Sequence, residues 1–254
     1  MTHAAGKPAA AGQACERQGF MERRTFVFIV CSPLPRVGKT LAARLAVEFF
    51  ATDGGRVAAF DVNPGDFALA EQLSDRAAAA DISDTRGQMA LFDQLIAADG
   101  VAKVVDVGFR SFEQFFSVMA EIGFAAEAGH RGIIPAVLLV ADADRRSAEA
   151  YAALLARFPR IPVVPVLNAG AADIRFRGEF SSRFAVTPLH IPFLSPAAKS
   201  MVAQFGFSPG ISGGRSAHAA NELQAWKRRV LLQLRELELR LLLEEIKPAL
   251  QLRA

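Results

Sequence analysis

Thr25-Phe26-Val27-Phe28-Ile29-Val30-Cys31-Ser32-Pro33-Leu34-Pro35-Arg36-Val37-Gly38-Lys39-Thr40 is the stretch on which the reading of this chain turns. The apolar run Thr25–Cys31, closed by Ser-Pro, reads as a buried strand. Gly38-Lys39-Thr40 then opens a segment with helical spacing, Lys39–Ala51. A strand that ends in such a loop and is followed at once by an amphipathic helix suits a phosphate group. Backbone N–H groups and the helix N-terminus face the anion, Lys39 neutralises it, and the Thr40 hydroxyl can ligate magnesium. Pro35, Arg36, Val37, Gly38, Lys39, Thr40 and Leu41 are therefore the residues expected against the phosphates of ATP. The common pattern has Gly five residues before Gly38; this chain has Pro33 there, and Pro33 and Pro35 remove N–H donors from the loop.

Outward from this stretch, apolar runs recur at Arg56–Val62, Val101–Gly108, Ile133–Ala141 and Ile161–Asn168, with a weaker one at Thr187–Pro192. Segments of helical spacing alternate with them: Thr85–Ala98, Phe112–Ile122, Ser147–Phe158 and Pro196–Phe205. Strands apolar on both faces, alternating with helices, predict a three-layer α/β/α domain with a mostly parallel twisted sheet. Ligands of such sheets sit beyond the carboxyl ends of the strands, where Asp61, Asp106 and Asn168 stand. The organisation expected is a disordered tail over 1–23, a nucleotide-binding domain over 24–207, a flexible loop over 208–216 and a long Leu-rich helix over 217–254.

The chain of 254 residues carries a formal charge of +3, too small by itself to imply nucleic acid. Cys15 and Cys31 are the only cysteines, which excludes a disulfide framework and a thiolate metal site and suits a reducing cytoplasm. The segment Met1–Phe20 lacks the apolar core of a signal peptide, and no apolar run approaches the roughly 20 residues needed to cross a bilayer.

Three further motifs, in order, carry a family resemblance over almost all of Thr25–Phe207. Phe60-Asp61-Val62-Asn63-Pro64 resembles the Asp-x-Asp-Pro first switch of the ParA/MinD family of deviant-P-loop ATPases. Val104-Val105-Asp106-Val107-Gly108 resembles that family's Walker B strand end and second switch, and Val166-Leu167-Asn168 the strand end whose Asn contacts adenine. The resemblance implies a P-loop fold binding ATP and Mg2+. It makes Lys39 the phosphate clamp, places Thr40, Asp61 and Asp106 about the metal, counts Lys39, Asp61, Asn63 and Asp106 as the catalytic set, and gives Asn168 to the base.

It further implies a slow ATPase whose nucleotide-dependent homodimer positions or recruits a cargo, either a protein assembly or nonspecific DNA, with recruitment to nucleoid or inner membrane through partners. Two departures qualify it. The family's signature Lys would fall at Leu34, leaving Arg36 the nearby cation, either a phosphate ligand or a solvated loop charge. The second Asp of the first switch is Asn63, a poorer proton acceptor. A noncatalytic nucleotide-regulated scaffold is the alternative. Asp61 and Asp106 can also be read as caps of the turns that leave their strands, Asp66 as a helix cap or a substitute base, and Asn168 as a turn residue.

Val230, Leu234, Leu237 and Leu241 form one stripe of the C-terminal helix and Leu232, Leu239, Leu243 and Ile246 a second. Packing on the domain, a contact with a partner, and membrane or DNA contact are its three readings. Arg175, Arg177 and Arg183, interleaved with Phe176, Phe180 and Phe184, form a basic cluster suited to DNA phosphates, to the base pocket or to an ordinary loop. Phe109, Phe112, Phe115 and Phe116 read as core or, where exposed, as a dimer face. His130, His190 and His218 are scattered and read as structural or solvated.

Overall fold

The structure, a computed structural model, describes residues 24–171, 186–207 and 217–251. The expected tail over 1–23, the loop over 208–216 and the basic cluster Arg175, Arg177 and Arg183 lie outside the described residues.

Seven strands, all parallel, form one sheet in the order β3-β2-β4-β1-β5-β6-β7. They are β1 (Thr25–Cys31), β2 (Val57–Val62), β3 (Ala77–Ala79), β4 (Ala102–Val107), β5 (Ile133–Ala141), β6 (Val163–Asn168) and β7 (Leu189–Ile191). The helices are α1 (Lys39–Ala51), α2 (Ala68–Gln72), α3 (Thr85–Leu95), α4 (Phe112–Glu121), α5 (Phe124–His130), α6 (Arg145–Arg157), α7 (Pro196–Phe205) and α8 (Ala217–Gln251). The central strand β1 is buried throughout and alternates its side chains between two cores. Phe26, Phe28 and Val30 face α1, α7 and α8, whereas Val27, Ile29 and Cys31 face α3 to α6. That alternation, imposed by the two-residue period of a strand, is what makes the domain three-layered.

Two prolines sit inside strands without breaking the ladder. Val137 donates its N–H to Pro162 O on the β6 side. Pro135, two residues earlier, therefore turns its missing donor toward the same side, upstream of where β6 begins to pair at Val163. Pro165 stands likewise upstream of the β6–β7 pairing, which begins at Val166 and Leu189.

Helix α8 belongs to the core. Leu223, Trp226, Val230, Leu234, Leu237 and Leu241 are buried with α1 and the sheet. Trp226 donates its indole N–H to Pro192 O at 2.7 Å, and Lys227 pairs with Glu48 of α1 at 3.0 Å. Gln233 accepts from His190 N and donates to His190 O, closing the free edge of β7 with a side-chain amide in place of another strand. Of the second stripe, Leu232, Leu239 and Leu243 are exposed.

Candidate functional site

Strand order reverses direction on either side of β1, which pairs with β4 on one side and β5 on the other. The crevice at the carboxyl ends of these strands is the position where open parallel sheets bind ligands. The loop after β1 fills it. Its backbone enters the left-handed region at Arg36, φ 57°, and at Gly38, φ 98°, before α1 begins at Lys39. Gly38 is required twice over: its φ disfavours any side chain, and a Cβ there would lie 2.2 Å from Asn168 Nδ2.

Lys39 is buried and donates from Nζ to Leu34 O at 2.7 Å, so its ammonium is folded back across its own loop. Burial pushes its pKa down, while the carboxylate of Asp106 works the other way. Thr40 donates from Oγ1 to Asp106 Oδ2 at 2.7 Å. Asp106 is fully buried, and its other oxygen, Oδ1, has no hydrogen-bond partner among the described residues. Burial raises the Asp106 pKa to about 6, helped by the Asp61 charge and opposed by the Thr40 hydroxyl and Lys39.

A cavity of about 650 Å³ opens over this cluster. Gly38, Lys39 and Thr40 line it from the β1 loop, Asn63 and Asp66 from the segment after β2, and Arg110 from the segment after β4. A second, more apolar cavity of about 190 Å³ lies toward β6 and β7, bounded by Leu41, Asn168, Ile191, Leu194 and Trp226. The two flank the start of α1, the larger of mixed polar and apolar lining and the smaller mostly apolar. Pro35 and Arg36 also line the larger cavity. Val37 does not: it is buried, and its carbonyl accepts from Asn168 Nδ2 at 3.1 Å.

Asp61 departs from the expected metal set. It is fully buried, its Oδ2 accepts from the N–H groups of Leu69 and Ala70 at the start of α2, and its Oδ1 accepts from Asn63 Nδ2 at 2.6 Å. It is a helix anchor, and it does not line the cavity. Asn63 departs as well. Its Nδ2 also donates to Asp106 O at 3.2 Å, so the amide bridges two strand ends instead of facing a water in the cavity. The orientation follows from the partners, since both are acceptors. Leu34, at the position of the family's signature Lys, is only 3% exposed and packs into the core. Asn168 both bonds Val37 O and accepts from Gly170 N at 3.0 Å, a turn contact made while its side chain edges the smaller cavity.

Phe109 and Arg110 had no place in the sequence reading of the phosphate site. Phe109 is exposed, and its ring lies 5.8 Å from Lys39 Nζ and 5.5 Å from the Arg110 guanidinium. The signal that pointed there was only their position, directly after the strand end at Asp106. Phe112, Phe115 and Phe116 are core.

The residues present fit a magnesium ion: an orphaned, buried carboxylate oxygen stands beside a hydroxyl at the start of α1. Among the described residues no group of three or more His, Cys, Asp or Glu forms a cation cage by itself.

Strand order and the loop after β1 define the fold class as the three-layer α/β/α fold of P-loop NTPases. No protein-family model matches this chain, and no curated protein does. Among solved structures the chain is similar to a ParA family ATPase from Chlorobium tepidum, at 14% identity over 81% of this chain and 98% of that one, TM-score 0.49. It is similar to a nucleotide-binding protein from Archaeoglobus fulgidus in complex with ADP, at 12% identity over 82% and 89%, TM-score 0.38. A de novo designed protein of P-loop NTPase fold is 16% identical over 56% of this chain and 82% of its own, TM-score 0.34. The fold class rests on the strand order and the loop after β1, not on these likenesses. No helix among the described residues is long and apolar enough to cross a membrane.

Proposed function

We propose that this protein binds ATP with Mg2+ between the two cavities and works as a nucleotide-dependent switch of the ParA/MinD kind. One observation carries the reading: the buried Lys39 ammonium, the Thr40–Asp106 hydrogen bond and the unpartnered Asp106 Oδ1 converge under one polar cavity at the start of α1. In this reading Lys39 leaves Leu34 O for a phosphate, and Thr40 and Asp106 hold the ion, which neutralises the phosphate oxygens when bound. Leu41 and the Asn168 side pack the base. The switch would act through a homodimer formed with ATP, recruiting a protein assembly or DNA in the cytoplasm.

A noncatalytic regulatory scaffold is the second reading, and the hydrogen bonding of Asn63 favours it over rapid hydrolysis. With its amide held between Asp61 and Asp106, Asn63 itself offers no proton acceptor to an attacking water, which leaves Asp66 as the one carboxylate lining the cavity. Calorimetry with ATP, ADP and a nonhydrolysable ATP analogue, each with Mg2+, tests the site. Binding that Lys39→Ala abolishes is the expected result, and no association at millimolar nucleotide would remove the proposal. Light scattering in the same three states tests the switch, and phosphate release with candidate partners separates an ATPase from a scaffold.

A further inference from the structure

Three cations, Arg36, Lys39 and Arg110, line the larger cavity with a single carboxylate, Asp66. Lys39 is engaged with Leu34 O, but Arg36 and Arg110 are exposed and make no hydrogen bond or ion pair among the described residues. Such an excess of positive charge in one cleft is unfavourable without an anion to receive it.

Arg36 gives a second, independent sign. It is the only non-glycine residue at positive φ among those described, in a region that costs an L side chain strain which glycine escapes. Strain of this kind, in a loop that lines the cavity, points to a use for the side chain there. Arg110 follows Gly108, where a Cβ would meet Asn63 Oδ1 at 2.5 Å, so the chain after β4 passes tightly beside the first switch.

The sheet order assigns the two arginines different ends of the ligand. The smaller, apolar cavity lies on the β6–β7 side of α1, and the segments after β4 and β2 lie on the other. A nucleotide with its base in the first runs its phosphates toward Arg110. Arg36, inside the loop itself, meets the phosphates nearer the helix start.

Resting on the nucleotide-site reading above, we infer that Arg110 is the residue that recognises the third phosphate. With Arg36 it supplies the charge that Leu34 cannot, and it couples that phosphate to the exposed Phe109 ring beside it. The site is thereby selective for triphosphate over diphosphate through a residue on the segment that follows β4.

The test is equilibrium binding with Mg2+ of ADP and of a nonhydrolysable ATP analogue to the full chain and to R110A, R110K and R36G. A charged hydrogen bond to phosphate corresponds to roughly a 10- to 100-fold loss when removed. R110A should weaken the analogue by about that factor and leave ADP within about twofold, with R110K intermediate because it keeps the charge without the fork. R36G should weaken both nucleotides while leaving the thermal midpoint equal or higher, since glycine relieves the backbone. Binding that R110A leaves unchanged, or weakens equally for both nucleotides, would overturn the role of Arg110 alone. Absence of binding by the unsubstituted protein would instead remove the nucleotide site and this inference with it.

Discussion

Gly38 and Asn168 interlock: the Asn168 side-chain nitrogen lies where a Cβ on Gly38 would be, at 2.2 Å, and donates to the carbonyl of Val37 beside it. The end of β6 thus sets the shape of the loop after β1, across the intervening β5. The loop's left-handed turn is not a local property of Pro35-Arg36-Val37-Gly38. It is held from two strands away, with Gly170 N fixing the other end of the same amide.

Gly38→Ala should therefore destabilise the fold by about 2 kcal/mol, from the left-handed φ and the collision together. Urea denaturation of G38A and of the double variant G38A/N168A separates the two contributions. The double variant removes the collision and keeps the strain, so it should be less impaired than the sum of the two single changes. Strict additivity would show that the contact is not tight.

Asp106 makes stability depend on pH in the opposite sense to most carboxylates. Its pKa is about 6 folded against 3.8 as an ordinary Asp. Between those values the folded state holds more protons than the unfolded state, so the Asp106 contribution to stability falls as pH rises from about 4 to about 6. The full difference is about 3 kcal/mol, and it is constant above that window. D106N, which can still accept from Thr40, should be more stable than the unsubstituted protein at pH 7 and lose that advantage near pH 4. Denaturation midpoints of the two proteins at both pH values check this. In the proposed site Asp106 would hold Mg2+ in its ionised form, so nucleotide affinity should weaken below about pH 6.

Much of this architecture was legible in the chain. Strands β1, β2, β4, β5 and β6 are apolar, β-branched runs, and a strand covered on both faces leaves that trace. Strand β3 was not legible, because Ala77–Ala79 is a short edge strand of a residue poor in strand propensity. Helix α2 was missed for a similar reason: it is five residues long and is held by Asp61 from β2 rather than by its own sequence. At the candidate site, Lys39 and Thr40 stand where a local loop motif leads one to look, at the start of α1 under the larger cavity. The contacts of Asp61 and Asn63 were not legible because they depend on pairing across β2 and β4, where Asp61 stands opposite Asp106 in register. Arg110 carried only its position after a strand end, which is too common for one Arg to single it out.

The two Leu stripes of α8 should respond differently to truncation. Leu237 is 2% exposed and sits in the core with Val230 and Leu234, whereas Leu239 is 53% exposed. Leu237→Ala should destabilise by about 3 kcal/mol, and Leu239→Ala by less than about 0.5 kcal/mol. Equilibrium unfolding decides it, and equal effects would contradict the burial of the first stripe.

Asn63→Asp, the change that would match the segment after β2 to the ParA/MinD pattern, should damage this protein rather than activate it. The Asn63 amide nitrogen stands 2.6 Å from Asp61 Oδ1 and 3.2 Å from Asp106 O, both acceptors. An Asp there replaces the donor with an oxygen facing a carboxylate and a carbonyl, so its folded pKa rises. The variant should match the parent below the ordinary Asp value near pH 4. It should lose roughly 2 kcal/mol as pH rises through that value toward neutrality, because the folded state must hold a proton the unfolded state releases. Denaturation of N63D at pH 4 and pH 7 measures the loss, and phosphate release measures turnover, expected not to increase. The swap D61N/N63D restores one donor and one acceptor across the same contact, so it should recover part of the stability at pH 7. A rise in turnover with unchanged stability in N63D would mean that the amide is not needed as a bridge and that the first switch keeps its hydrolytic geometry.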